Sequence, residues 1–124
     1  GNGFSIILAI VFLTGVAIAV PVANASSWIT AVYVIASLVT FLAYAKDKSA
    51  ARSDGWRTPE STLHMFSLLG GWPGALVAQQ TLRHKSRKQP FRFVFWITVF
   101  TNCGAFAWLL TPEGAVFLNS IIPA

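Results

Sequence analysis

Residues 59–82 read PESTLHMFSLLGGWPGALVAQQTL and lie between two basic blocks, Lys46 to Arg57 and Arg83 to Arg92, that hold all nine Lys and Arg side chains of the chain. Loops rich in Lys and Arg stay on the cytoplasmic side of a membrane. A segment joining two such blocks must therefore start and finish on one side, although it is apolar enough to enter lipid. Gly70 and Pro73 cut it into two pieces of about ten residues, roughly 15 Å of helix each at 1.5 Å per residue. The hydrocarbon core is about 30 Å thick, so neither piece crosses alone. The expectation is a re-entrant helical hairpin over about 59–82 on the cytoplasmic side, broken at Gly70, Gly71, Trp72, Pro73 and Gly74. Thr58 is expected as its N-cap, Pro59 as its first helical residue and Glu60 as the acid of the first turn. Gly70 and Gly71 stop the first arm, and Pro73 restarts the second while holding Trp72 out of helical dihedrals. A backbone broken at that depth needs protein around it to satisfy its polar groups.

Outward from this segment the chain is nearly uncharged. Its 124 residues are 55% hydrophobic and 10% charged, with a net charge of +5, which excludes an ordinary water-soluble domain. Three apolar runs have spanning length: about 4–23, 28–45 and 91–110. The expected fold is an all-α integral membrane protein, one domain over 1–124, with three transmembrane helices and the hairpin. A basic loop is expected at 46–58, a basic block at 83–92, and a short interfacial tail at 111–124. Ala23-Asn24-Ala25 has the form of a signal-peptidase site, but the run before it lacks a basic n-region. Trp28 and Tyr44 are placed to anchor the second span at the two headgroup levels. Asn102 puts an amide at bilayer depth and is expected to face the bundle or the hairpin. One cysteine, Cys103, allows neither an intrachain disulfide nor a Cys-x-x-Cys metal site.

The combination Asp47-Lys48-x-Ala50-Ala51, Trp56-Arg57-x-Pro59-Glu60, Gly70-Gly71-Trp72-Pro73-Gly74-Ala75, Arg83-His84-Lys85-Ser86-x-Lys88 and Phe91 with Phe95-Trp96 resembles the bacterial membrane family called domain of unknown function 1294. The resemblance covers about residues 30–110. It implies a bacterial inner membrane location and supplies no mechanism. Some members of that family carry an amino-terminal cold-shock domain that binds nucleic acid. Gly1-Asn2-Gly3, with no initiating Met, is where such a domain would join, and nucleic acid is expected as a partner only through it.

The chemistry the residues suggest is anion binding. Lys48, Arg52, Arg57, Arg83, His84, Lys85, Arg87 and Lys88 are the candidate residues, brought to one membrane face if the hairpin returns. Phosphate groups of anionic lipid headgroups are the expected ligands. The plainer alternative is that these charges only orient the protein. His64 and His84 lie twenty positions apart with no second ligand at metal spacing, so no metal is expected. No nucleophile is paired with a base, so an enzyme is disfavoured and no cofactor is called for. An oligomeric channel or transporter built on the hairpin is the alternative function; three spans are too few to enclose a path without a homo-oligomer. The positive-inside rule puts the amino terminus in and the carboxyl terminus out.

Overall fold

The structure is a computed structural model and describes residues 3–52, 59–82 and 89–122. The described residues form helices: α1 (Phe4–Val22), α2 (Ser27–Arg52), α3 (Glu60–Phe66), α4 (Trp72–Leu82), α5 (Gln89–Leu109) and α6 (Pro112–Ile121), with a π-type turn, Ser67–Gly71, joining α3 to α4. Among the described residues three helices are long and apolar enough to cross a membrane: Phe4–Val22, Ser27–Ala50 and Pro90–Leu109. Their outward faces are apolar, with Ile7, Leu38 and Phe100 among the exposed residues.

α2 corrects the expected end of the second span. It does not stop at Ala45 but continues to Arg52, so the basic loop expected from residue 46 begins as helix. Lys, Ala and Arg are good helix formers, and basic side chains in the last turns oppose the negative end of the helix dipole. Tyr44 is also not a headgroup anchor: it is completely buried.

The segment between the basic blocks is a helix, a break and a helix. Pro59 is the N-cap of α3 and not its first residue; its ψ of 147° is extended, and its carbonyl accepts from the amides of Thr62 and Leu63. Thr58, the expected cap, lies outside the described residues. The break differs in detail from the expectation. Trp72 is helical, at φ −60° and ψ −30°, and the departure falls on Gly70, at φ 115° and ψ 1°. That is left-handed backbone, which L side chains rarely adopt. Pro73 then occupies the second position of α4, where its missing N–H costs no helical hydrogen bond.

α4 is the centre of the molecule. Every residue from Trp72 to Leu76 is buried, as is Ala78, and the helix packs between α1 and α2. Gly71 and Gly74 make this possible. A Cβ on Gly71 would lie 1.9 Å from Thr40 Oγ1, and one on Gly74 would lie 1.9 Å from the Ser37 carbonyl oxygen. Among lipid tails, apolar burial gives helices no reason to associate, so close backbone packing across small residues supplies the attraction. The contacts run Gly71 to Ala36 and Thr40, Gly74 to Ser37, and Gln79 to Tyr44, so α4 runs parallel to α2.

A second cluster closes the opposite end, where Val16 and Val20 of α1 meet Ile29 and Tyr33 of α2, with Leu118 of α6 against them. Thr111 caps α6 by accepting from the Gly114 amide at 3.1 Å. Gly114 fits because it has no Cβ, which would stand 2.0 Å from the Trp108 carbonyl oxygen. α6 thereby folds back on α5, with the rings of Trp108 and Phe117 5.5 Å apart. The tail expected at 111–124 is thus a helix of 10 residues, about 15 Å long and short of a span.

Candidate anion-binding site

The site is built from a polar stripe that the sequence hides in an apolar run. Tyr33, Ser37, Thr40, Tyr44 and Asp47 recur at intervals of four and three along α2, the spacing of one helical face. All five are buried. α4 lies along this face, and Tyr44 ties it in place. Gln79 Nε2 donates to Tyr44 Oη at 3.1 Å. Thr40 Oγ1 donates to the Ala36 carbonyl at 2.6 Å, which satisfies it within α2.

Where the stripe ends, the basic region begins. Lys46 is exposed, Asp47 fully buried and Lys48 half-buried, so three consecutive residues fan around the end of α2. Asp47 and Glu60 each make interactions with their surroundings. Lys48 Nζ donates to the carbonyl of Leu82, the last residue of α4. That carbonyl is one of the four at a helix end with no partner inside the helix. The same end of the bundle gathers the start of α5, where Phe91 lies 6.3 Å from Tyr44 and 4.4 Å from the half-buried His64 ring of α3, centroid to centroid. The ends of α2 and α4 and the arm of α3 therefore meet around Phe91.

Of the residues singled out from the sequence, Lys48 is placed at this meeting point. Arg52 is the last residue of α2, and its side chain lies outside the described residues. Arg57, Arg83, His84, Lys85, Arg87 and Lys88 also lie outside them. Gly70, Gly71, Trp72, Pro73 and Gly74 form the break and the buried start of α4. Among the described residues no three His, Cys, Asp or Glu gather as a metal site.

The far end of the broken segment rests on Asn102. Its Nδ2 donates to the Leu68 carbonyl at 2.9 Å, while its Oδ1 accepts from Trp72 Nε1 at 3.0 Å and from Tyr33 Oη at 2.7 Å. The indole N–H can only donate and the carbonyl can only accept, so the orientation of the amide is fixed. Asn102 thus satisfies a carbonyl freed by the break. Tyr33 is a side chain of this face that sequence reading passed over, and Tyr44 one that it placed at the headgroup level. Their signal was the stripe itself, because polar groups repeating on one face of a spanning helix mark the face turned to protein.

A protein-family model described as "Protein of unknown function (DUF1294)" matches residues 37–91. Over these residues the chain is similar to that family. The matched residues begin at Ser37, inside the polar stripe, and end at Phe91, where α2, α3 and α5 meet. The DUF1294 segment thus contains the whole helix–break–helix unit and both basic blocks except Arg92. α1, α6 and most of α5, with Asn102, lie outside it. Comparison with curated proteins and with solved structures gave no match.

Proposed function

We propose that this is an inner-membrane protein in which residues 59–82 enter the bilayer from the cytoplasmic face and return to it, so that the two basic blocks share an anionic phosphate group, lipid headgroups first. One observation carries the proposal: the bond from Lys48 to the Leu82 carbonyl. Lys48 belongs to the first block, and Leu82 immediately precedes the second. The chain therefore leaves α4 for Arg83 from beside the end of α2. α3 and α4 have 7 and 11 residues, about 10 and 16 Å of helix, against a hydrocarbon core of about 30 Å. Positive-inside ordering puts this end in the cytoplasm, with the amino terminus in and the carboxyl terminus out.

The roles divide between the described Lys48 and the rest of the two blocks. Lys48 acts as a clasp, its ammonium committed to a helix-end carbonyl. Arg52, Arg57, Arg83, Lys85, Arg87 and Lys88 supply the charge in this reading, with His84 as a further donor to phosphate. The channel alternative gains nothing from the break. The Leu68 carbonyl, which such a device would turn toward an ion, is already held by Asn102.

The test is a double-mutant cycle on Arg57→Gln and Lys85→Gln, read as anionic lipid binding in neutral nanodiscs at low and high salt. Diffuse attraction is worth about 1 kcal/mol per basic residue and is screened by salt. A shared phosphate makes the two losses non-additive, the double variant losing less than the sum of the singles. Additive losses that vanish at high salt would leave the charges only an orienting role.

A further inference from the structure

We propose that a lateral groove between α2 and α3 seats one acyl chain of an anionic two-chain lipid, with Lys46 holding its phosphate. The proposal rests on the basic end being the headgroup-binding face and adds the class of ligand: a membrane lipid and not a free phosphate. The groove has a volume of about 300 Å³ and is lined by Val32, Ile35, Ala36, Val39, Phe66 and Leu69. That is the small end of the range for ligand sites, about 300 to 1,000 Å³. Its one polar side chain, Thr40, is bonded to the Ala36 carbonyl at 2.6 Å, so nothing in the groove asks for water or a polar ligand.

What fills it follows from the residues around it. Ile35, Leu38, Val39 and Leu69 are exposed, so this side of α2 is a lipid-facing side of a spanning helix. In the hydrocarbon region the surrounding medium is acyl chain. The direction of the lipid follows from the register of α2. Val32, Val39 and Lys46 are spaced by seven residues, two helical turns, and so share a stripe to within about 20° per repeat. Lys46 is exposed and stands about 10 Å along the axis beyond Val39. Ala43, between them, has no side chain beyond Cβ to obstruct the track. A chain lying in the groove therefore leads to an ammonium on a flexible stem that reaches the headgroup level. Leu69 and Phe66 close the groove from the side of the break, so the seat exists only when the broken segment is docked.

The experiment is lipid retention by the full chain in native mass spectrometry, using dioleoyl phosphatidylglycerol, dioleoyl phosphatidylcholine and glycerol phosphate as probes. Val39→Trp fills the groove and should weaken phosphatidylglycerol binding by about tenfold, while Leu38→Trp, on another face of the same helix, should leave it at the parental value. Lys46→Gln should weaken phosphatidylglycerol more than phosphatidylcholine, whose phosphate charge is offset by its own ammonium. Glycerol phosphate binding should not respond to Val39→Trp. If Val39→Trp does not fold, Ile35→Trp, also exposed and also in the groove, takes its place. Parental phosphatidylglycerol binding by the groove variants would overturn the proposal, as would an equal loss of glycerol phosphate, or a change of oligomeric state with no change in bound lipid. Additivity of Arg57→Gln and Lys85→Gln alongside an intact Val39→Trp effect would remove the shared phosphate and leave the groove. A parent that retains no anionic lipid would overturn both.

Discussion

Asn102 makes three hydrogen bonds with one amide, and each partner comes from a different part of the chain: Leu68 at the break, Trp72 at the start of α4 and Tyr33 on α2. Polar contacts between membrane helices average about 0.6 kcal/mol each. Asn102→Leu should therefore cost about 2 kcal/mol and Tyr33→Phe about a third of that. The measurement is the unfolding free energy in mixed detergent micelles titrated with dodecyl sulfate. Equal values for the two variants would mean that the Leu68 carbonyl and the Trp72 indole find other partners. That Asn102 turns inward was legible in the sequence, since an amide inside an apolar run has nowhere else to bond. Its partners were not. They depend on where the chain turns, and that is set by a single positive φ at Gly70.

The elements meet through glycines that differ in what surrounds them. Gly71 and Gly74 have no room for a methyl group, whereas a Cβ on Gly15 or Gly104 would meet nothing within 4 Å. Gly71→Ala and Gly74→Ala should each destabilise by about 1–3 kcal/mol, the range for overpacking. Gly15→Ala and Gly104→Ala should be neutral or stabilise by up to about 1 kcal/mol, because Ala is the better helix former. Melting temperatures of the four variants in one detergent decide it; a uniform response would deny that α4 is held by backbone contact. The location of the break was readable, because Gly and Pro punctuate local structure whatever surrounds them. Its form was not. Pro73 favours a non-helical Trp72, yet the buried indole bonded to Asn102 keeps Trp72 in the helix, and the departure moves back to Gly70, where no side chain resists it. The extent of α2 was not legible either, because the first charge marks the end of the apolar run and not the end of the helix.

At the scale of the whole molecule, the three spans were legible from length and composition. That protein surrounds the broken segment was legible too, because an exposed break in lipid has nothing to satisfy its backbone. That α1 and α2 are the helices flanking α4 was not. The arrangement has a topological consequence that labelling can check. With Cys103→Ser as background, Ser53→Cys and Ser86→Cys should react with an impermeant thiol reagent from one side of the membrane, and Asn119→Cys, at the α6 end, from the other. Labelling of Ser53→Cys and Ser86→Cys from opposite faces would make residues 59–82 a crossing. The bond between Asn102 and Leu68 also bears on biogenesis. The two residues are 34 positions apart, so at synthesis rates of about 5–20 residues per second the Leu68 carbonyl emerges roughly 2–7 seconds ahead of the amide that satisfies it. Until α5 follows, a docked break would hold that carbonyl and the Trp72 N–H unpaired in hydrocarbon, at a cost of several kcal/mol per group. If residues 59–82 enter the bilayer as proposed, the segment at the centre of the finished protein is among the last to settle, waiting at the membrane surface for the helix translated after it.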